Sequence, residues 1–474
     1  MRFFYLLILL TVAQSAFAQL AGNWYAVLDA MGTKLPMQLE LRQEGGKWSG
    51  TMSDPTGKSP DMDLAAINFD GKKFTYEVPP LGITFSGVQD GKEIRGIFNQ
   101  ANADFPLTYT RHRPDGYPIE EGPITMVRRQ QEPTEFPYER IAVTYPGGAE
   151  GVTLAGELTV PSSGKPRALI VLVSGSGPQD RNAFLGSQVN HSPFLVLSDH
   201  LTRKGFGVLR YDDRGVGEST GDFAAATSMD FAADAGAGVS YLRSRPELAG
   251  IPVGVAGHSE GGLIAPIVAA ATAELDFTVL LAGPGVPIAE LMLEQRRLVT
   301  KAMGIPEAIA LRDQPALAAA YEWIGQNTEL SQEAYVEGLY DLFADQIKNL
   351  PEPMQKSIVD VREFNGQYVK PLSGPWMRWF LAYDPAEYLE QLTVPTLAIN
   401  GTKDLQVPAE MNLNAIAKSL AVAGNEDVTI VPLLEMNHLF QKADTGAISE
   451  YGTIETTFEE EALLVISDWL EERF

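Results

Sequence analysis

The chain has 474 residues and a formal charge of −25 at pH 7, with 36 basic and 61 acidic residues and no cysteine. The lack of cysteine excludes disulfides, thiol nucleophiles and thiolate metal sites, and the acidic excess argues against nucleic acid and anionic membranes as partners. A chain of this length predicts two domains.

The amino terminus has the pattern of a secretory signal. Arg2 supplies a positive charge, residues 3–13 are apolar, and Ala16-Phe17-Ala18 fits a small-x-small cleavage site. This apolar run is too short to span a bilayer, and no later segment is long and apolar enough to do so. We therefore expect removal of residues 1–18 and export of the mature protein to the periplasm or the medium.

Residues 19–115 are predicted to form a small all-β domain. Apolar and polar side chains alternate over residues 37–41 and 74–78, and turn signals such as Gly45-Gly46 follow one another closely. This spacing predicts a barrel or sandwich of about seven to nine strands. Residues 116–135 are rich in Pro, Arg, Gln and Glu without periodicity, and they are predicted to be a linker.

Predicted strands alternate with helices from residue 136 to residue 474. Residues 168–173, 206–210 and 277–282 are apolar enough for strands that are covered on both faces. The alternation predicts an α/β fold with a mostly parallel sheet between two layers of helices. Residues 286–385 interrupt it with several helices, which we interpret as a lid over the carboxyl edge of the sheet, where ligands bind in such folds.

One serine stands where a buried strand meets a helix. The sequence Gly257-His258-Ser259-Glu260-Gly261 follows an apolar strand and precedes a helix of small residues. A Gly-x-Ser-x-Gly element in this setting is a nucleophile elbow, a tight turn that presents the serine hydroxyl beside a helix N-terminus. Ser259 is therefore the predicted nucleophile, and His258 is expected to point away from it.

A serine nucleophile needs a base that is itself oriented by a carboxylate. Among the five histidines, His438 follows the last predicted strand and is the best placed base, whereas His191 lies in a loop that could line the pocket. Asp404 directly follows another predicted strand and is the predicted acid. Glu435 and Asp444 are alternatives, but they are too close in sequence to His438 to approach it easily from a separate strand end.

The oxyanion of an acyl-transfer reaction needs two backbone N–H donors. Glu260, the residue after the nucleophile, is expected to supply one of them. The loop after strand 168–173 is expected to supply the other through Ser176, with Gly177 as the alternative one residue further on. Four aromatic residues are predicted either to wall the acyl pocket or to join the lid to the sheet: Trp376, Trp379, Phe380 and Tyr383.

These motifs together resemble the Ser-dependent α/β-hydrolases, and more narrowly exported bacterial acyl-esterases with a helical lid. The residues that carry the resemblance are 174–182 (SGSGPQDRN), 210–221 (RYDDRGVGESTG), 257–262 (GHSEGG), 400–408 (NGTKDLQVP) and Asn437-His438. The resemblance covers residues 135–474 and implies carboxylester hydrolysis without a cofactor, by a triad of Ser259, Asp404 and His438. Five charged residues within the motifs are interpreted as structural ion pairs: Asp180, Arg181, Asp212, Asp213 and Arg214.

Two classes of function follow. The first is a serine hydrolase of small acyl or aryl esters, with peptides, amides and lactones still open because the elbow is common to all of them. The second is a binding protein that uses its β domain to recognise a glycan or a partner. A metal-dependent hydrolase is disfavoured, because the scattered histidines lack the spacing of metal ligands. The oligomeric state stays open.

Overall fold

The computed structural model describes residues 20–474 apart from several short gaps. The gaps are residues 31–32, 56–61, 79–82, 101–102, 115–116, 118–125, 163, 273–274, 306, 308–310, 349–354, 356–357 and 359. The predicted signal segment, residues 1–18, lies outside the described residues. The chain divides into two compact units, with the boundary between residues 123 and 124. The predicted linker spans this boundary.

The first unit is built on one nine-stranded antiparallel sheet, ordered β4-β3-β2-β1-β9-β8-β7-β6-β5. Its strands are β1 (Gly22–Ala30), β2 (Thr33–Glu44), β3 (Lys47–Ser53), β4 (Met62–Asp63), β5 (Ala65–Phe69), β6 (Lys73–Val78), β7 (Ile83–Asp90), β8 (Glu93–Gln100) and β9 (Ala103–Thr110). The period-two pattern buries alternate side chains along strands such as β6 and β7, and Trp24, Phe74, Phe85 and Tyr109 share a core. The predicted all-β fold is confirmed.

The second unit contains an eight-stranded sheet, ordered β10-β11-β13-β12-β14-β15-β16-β17. Its strands are β10 (Tyr138–Pro146), β11 (Thr153–Pro161), β12 (Leu169–Val173), β13 (Gly207–Tyr211), β14 (Val253–His258), β15 (Phe277–Leu281), β16 (Thr396–Gly401) and β17 (Val428–Leu433). The pairs β10–β11 and β11–β13 are antiparallel, and all later pairs are parallel. The predicted mostly parallel sheet is confirmed.

Helices cover both faces of this sheet. They are α1 (Gly186–Val189), α2 (Pro193–Arg203), α3 (Ser228–Ser244), α4 (Glu260–Ala271), α5 (Ile288–Ala302), α6 (Gln314–Gln326), α7 (Gln332–Ile347), α8 (Val361–Leu372), α9 (Pro375–Ala382), α10 (Ala386–Leu389), α11 (Ala409–Val422) and α12 (Glu460–Arg473). On strand β12, Ile170 packs with residues of α2 and α12, whereas Val171 packs on the opposite face with residues of α3, α4 and α11. No helix in the described ranges combines the length and apolar character that crossing a bilayer requires.

The helices α5 to α9 form an insertion between β15 and β16, within the residues predicted as a lid. They pack on one another around buried Tyr335, Leu339 and Phe343, and Phe343 stacks on Tyr368 with ring centroids 5.1 Å apart. We refer to residues 286–385 as the helical insertion. The insertion leaves the sheet after β15 and returns to it at β16, which is the neighbouring strand.

Part of the predicted linker packs into the second unit. Arg128 is only 1% exposed. Its guanidinium donates to the backbone carbonyls of Tyr451 (2.6 Å), Thr456 (2.9 Å) and Val189 (3.0 Å). An arginine carries five N–H donors, so one buried side chain satisfies carbonyls from segments far apart in the sequence. The local composition, from which the linker was predicted, contains no sign of these distant acceptors.

Candidate active site

Ser259 occupies a tight turn between β14 and α4. Its backbone has φ 55° and ψ −116°, in the left-handed region that a residue with a side chain rarely adopts. A Cβ on Gly257 would lie 1.9 Å from the carbonyl oxygen of Gly261, and a Cβ on Gly261 would lie 2.2 Å from that of Val173. Only glycine fits at these two positions, as the sequence predicts. The N–H of Gly262, the third residue of α4, donates to the carbonyl of Ser259 at 2.9 Å. The first N–H groups of a helix have no acceptor within the helix, so that of Glu260 is the one predicted to face an anion.

Asp404 and His438 are in direct contact at the carboxyl edge of the sheet. Asp404 follows β16, His438 follows β17, and the Nδ1 of His438 lies 2.7 Å from Oδ2 of Asp404. The other carboxylate oxygen, Oδ1, accepts the backbone N–H groups of Gln406 (2.8 Å) and Val407 (2.9 Å). Both residues are buried, at 3% and 4% exposed. A proton on Nδ1 satisfies the carboxylate and leaves Nε2 as an acceptor.

The two alternative acids lie elsewhere. Glu435 and Asp444 are both exposed, and Asp404 occupies the position beside the imidazole. Among the described residues, no hydrogen bond joins the Ser259 hydroxyl to His438. Catalytic hydrogen bonds of this kind are often long before substrate binds and shorten in the complex.

His258 connects the nucleophile turn to the loop that carries His438. Its ring centroid lies 4.7 Å from that of His438, and its Nε2 donates to the backbone carbonyl of His438 at 2.9 Å. Burial lowers the pKa of His258 to about 3, helped by the neighbouring His438, so the imidazole is neutral. The expectation that His258 only points away from Ser259 misses this contact, because the turn that directs it away also directs it at the loop after β17.

Residues 174–178, the predicted oxyanion loop, lie against Ser259. A Cβ on Gly175 would be 3.2 Å from the Cβ of Ser259. Asp213 contacts the first residue of this loop and the residue that follows it: Ser174 Oγ donates to its Oδ1 (3.0 Å) and the Gln179 N–H donates to its Oδ2 (3.0 Å). The loop carries both Ser176 and Gly177, with Gly177 at φ 93°, and the choice between their N–H groups as the second donor stays a prediction.

The charged residues of the motifs play two structural roles. Arg181 pairs with Asp212 (2.6 Å) and Arg214 pairs with Asp234 (2.7 Å), which confirms the ion-pair interpretation for Arg181, Asp212 and Arg214. The interpretation is wrong for two carboxylates that accept backbone N–H groups instead: Asp180 and Asp213. Sequence patterns do not distinguish these roles, since an aspartate fits either.

The pKa of Asp213 gives a testable pH dependence. Burial raises this pKa from 3.8 to about 7, against the hydrogen bonds from Gln179 and Ser174 and with help from the nearby Glu260 and Asp234. Between these pH values the native state holds a proton that the unfolded state has released. The stability contribution is therefore complete below pH 3.8 and is lost as the pH rises to about 7, a change of the order of 4 kcal/mol.

We expect Asp213→Asn to remove this slope from the free energy of unfolding, measured by urea denaturation between pH 5 and pH 8. Asp212→Asn is the matched control. Burial raises the pKa of Asp212, but hydrogen bonds from Arg181 and from the backbone of Glu218 lower it by more than burial raises it. The pKa of Asp212 therefore lies below its ordinary value. That carboxylate is ionised in both states above pH 5, and the control should keep the wild-type slope. Identical slopes for Asp213→Asn and the wild type would contradict the assignment.

The residues that were predicted to line a pocket differ in how deeply they are buried. His191 is 0% exposed, its Nε2 donates to the carbonyl of Thr457 at 2.8 Å, and burial lowers its pKa to about 3. It is therefore a buried structural residue, and the prediction that it lines the pocket is wrong. The isolated sequence does not show that the loop before α2 is covered by residues near position 457.

The aromatic residues of α9 also fall into two groups. Phe380 and Tyr383 are buried in the core that the helical insertion shares with the sheet, and the carbonyl of Tyr383 accepts the N–H of Ile288, which joins the two ends of the insertion. Trp376 and Trp379 are half-buried and stack on these two residues, with centroids 4.6 and 4.7 Å apart. A wall of the acyl pocket stays a prediction for the two tryptophans.

Three further residues contact the site and were not predicted as parts of it: Asp213, Ser228 and His258. The first follows β13, next to β12 in the sheet, so its position after a strand end was the available signal. In the part of the chain that the structure describes, no group of three or more His, Asp or Glu side chains is arranged to hold a metal ion.

The chain is similar to known hydrolases. Residues 188–338 match the family described as serine aminopeptidase, S33. The chain is 26% identical to esterase EstD of Thermotoga maritima over 289 residues, which cover 60% of this chain and 58% of EstD. It therefore spans somewhat more than half the length of that curated relative.

Two solved structures resemble the chain at low identity. An esterase of Pyrococcus furiosus is 16% identical, with a TM-score of 0.42 over 73% of this chain and 93% of that one. The hypothetical protein PA2218 of Pseudomonas aeruginosa is 15% identical, with a TM-score of 0.43 over 75% and 99%. The sheet order and the turn at Ser259 are those of an α/β-hydrolase fold, preceded by a separate antiparallel β domain, and the sequence matches show a similarity to a serine aminopeptidase family and to an esterase.

Proposed function

We propose that the protein is a serine carboxylesterase that cleaves small acyl or aryl esters. Ser259 is the nucleophile, His438 the general base and Asp404 the residue that orients the base. The observation that carries the proposal is the 2.7 Å hydrogen bond between Asp404 and His438, at the edge of the sheet where Ser259 stands in its strained turn. Nucleophile, base and orienting group then follow strands that lie together in one sheet.

The first half of the reaction forms an acyl-enzyme. Oγ of Ser259 attacks the ester carbonyl carbon while its proton passes to Nε2 of His438, and Asp404 stabilises the imidazolium through Nδ1. The negative charge that develops on the carbonyl oxygen is met by the N–H of Glu260 and by that of Ser176 or Gly177. The intermediate collapses when the carbon–oxygen bond to the alcohol breaks and the leaving oxygen takes the proton from His438.

The second half releases the acid. Water gives a proton to Nε2 of His438 and attacks the acyl carbon, and the same two N–H donors stabilise the second oxyanion. The bond to Oγ of Ser259 then breaks, and the serine recovers its proton from His438. Every proton transferred in the two halves of the reaction moves between substrate, water, Ser259 and His438.

A peptidase is the alternative that the family description favours, because that description is of a serine aminopeptidase. An aminopeptidase binds the free ammonium group of its substrate, and a carboxylate is its natural partner. The carboxylate closest to Ser259 in the sequence is that of Glu260, and its Oε1 already accepts from Ser228 and Trp376. This occupancy favours the ester, as does the name of EstD. Lactones and a purely binding role are further alternatives.

The test compares p-nitrophenyl esters of simple acids with p-nitroanilides of amino acids. We expect residues 19–474 to hydrolyse p-nitrophenyl acetate and butyrate with a kcat/KM at least about 10²-fold above that for aminoacyl p-nitroanilides, because an anilide must be protonated by His438 to leave and a nitrophenolate need not be. A higher kcat/KM for the anilides would contradict the proposal in favour of the aminopeptidase. Turnover of neither class, without labelling of Ser259 by a fluorophosphonate, would indicate a binding protein.

A further inference from the structure

The carboxylate of Glu260 is buried and accepts hydrogen bonds, although the predicted role of this residue as an oxyanion donor uses only its backbone N–H. The side chain is 2% exposed at the first position of α4. Ser228 Oγ donates to its Oε1 at 2.6 Å, and Nε1 of Trp376 donates to the same oxygen at 2.8 Å. The Ser176 side chain also hydrogen-bonds the carboxylate. No cation pairs with Glu260 among the residues that the structure describes.

The three donors belong to three different parts of the second unit. Ser228 begins α3 and is fully buried, so it belongs to the rigid framework. Ser176 lies in the predicted oxyanion loop. Trp376 is the second residue of α9 in the helical insertion. The carboxylate therefore joins the insertion to the loop, and the backbone N–H of the same residue is the other predicted oxyanion donor.

Stability does not explain an acid at this position. Burying a carboxylate without a cation costs free energy of folding, and an apolar side chain of similar size would avoid this cost. Burial does raise the pKa of Glu260, although the hydrogen bonds from Ser228, Trp376 and Ser176 oppose the rise. A buried acid beside a nucleophile, in contact with two segments that border the reacting atoms, indicates a function.

We propose that Glu260 is a positioning residue. Its carboxylate fixes the helical insertion relative to the predicted oxyanion loop through hydrogen bonds with Trp376 and Ser176. This inference rests on the proposed function. The indole of Trp376 stacks on Phe380, which is buried in the core of the insertion, so the hydrogen bond fixes helix α9 and not only one side chain. Enclosure of the substrate and formation of the oxyanion hole then depend on the same carboxylate.

The variants Glu260→Ala, Glu260→Gln, Trp376→Phe and the double variant Glu260→Ala with Trp376→Phe test this proposal. Trp323→Phe is the matched control, since it removes another indole N–H of the insertion from a residue that packs on Tyr335. The readouts are kcat and KM for p-nitrophenyl butyrate and the rate at which a fluorophosphonate labels Ser259. In the labelling, the Oγ–P bond forms, the P–F bond breaks, fluoride leaves and the hydroxyl proton passes to His438.

We expect Glu260→Ala to lower kcat about 10- to 100-fold, the effect of losing a hydrogen bond to a charged group. Trp376→Phe should lower kcat about 10-fold with less than about a threefold change in KM. Glu260→Gln should retain most of the activity, because its amide oxygen still accepts from Trp376. The double variant should be no slower than Glu260→Ala, since two residues that act through one contact are not additive. Trp323→Phe should stay within about twofold of the wild type.

Additive losses in the double variant, or a Trp376→Phe enzyme whose kcat equals that of Trp323→Phe, would overturn the proposal. If Glu260→Ala does not fold, the comparison of the two tryptophan variants decides it alone. Failure of the proposed function looks different. A wild-type enzyme that hydrolyses no ester but is labelled at Ser259 has another acyl substrate, and the labelling rates of the variants still decide the role of Glu260. A wild-type enzyme that is not labelled overturns both.

Discussion

Replacement of Ser259 by alanine is expected to lower kcat for p-nitrophenyl butyrate by about 10⁴- to 10⁶-fold, the loss seen when a catalytic serine is removed. No other group is expected to take over the covalent step, because the attack requires an oxygen at the tip of the turn, beside α4 and residues 174–178. KM should change little, since the pocket walls are intact. Steady-state kinetics and the loss of fluorophosphonate labelling measure the effect.

The matched control for this variant is Ser240→Ala, which removes an exposed hydroxyl from helix α3. Its kcat should stay within about twofold of the wild type. The thermal midpoint of Ser259→Ala should also be close to that of the wild type, because alanine meets the same backbone strain at φ 55° as serine does. Ester hydrolysis that survives in Ser259→Ala with unchanged kcat would remove the residue from the mechanism.

Replacement of Asp404 by asparagine is the second large effect, with an expected loss in kcat of about 10³- to 10⁴-fold. Oδ1 of Asp404 accepts two backbone N–H groups, from Gln406 and Val407. The amide oxygen of asparagine must take that place, so its NH₂ group faces Nδ1 of His438. The imidazole then carries its proton on Nε2 and cannot accept one from Ser259.

Asp444→Asn is the control for this change, since Asp444 is the exposed alternative in the same region of the sequence. It should leave kcat unchanged. Because the wrong tautomer blocks proton transfer and not binding, KM of Asp404→Asn should stay within about threefold of the wild type. A full loss of activity in Asp444→Asn, with Asp404→Asn active, would reverse the assignment of the acid.

The features that sequence reasoning could predict share one property: each depends on residues that are neighbours in the chain. The turn at Ser259 needs glycine two residues before and after the serine, and a strand and a helix on either side. The contact between Asp404 and His438 could be predicted because both residues follow predicted strands, and strands of a parallel sheet end at one edge. The alternation of strands and helices predicted that sheet, and the period-two pattern of residues 37–41 and 74–78 predicted the β domain.

The features that sequence reasoning missed depend on a partner far away in the chain. His258 contacts His438 across 180 residues, Trp376 contacts Glu260 across 116, and His191 contacts Thr457 across 266. A histidine, tryptophan or glutamate accepts many partners, so the residue type does not identify the one it meets.

The sequence by itself therefore determined the α/β-hydrolase fold, the strained serine turn and the two strand ends that carry Asp404 and His438, because these follow from local backbone preferences and apolar periodicity. Only the tertiary structure decided that Asp213 accepts from Ser174 and Gln179 on either side of the predicted oxyanion loop, that His191 is buried away from solvent, and that the carboxylate of Glu260 meets the indole of Trp376. Hydrogen bonds between distant segments form only after packing has excluded water from them, and no local pattern records which donors and acceptors that packing leaves together.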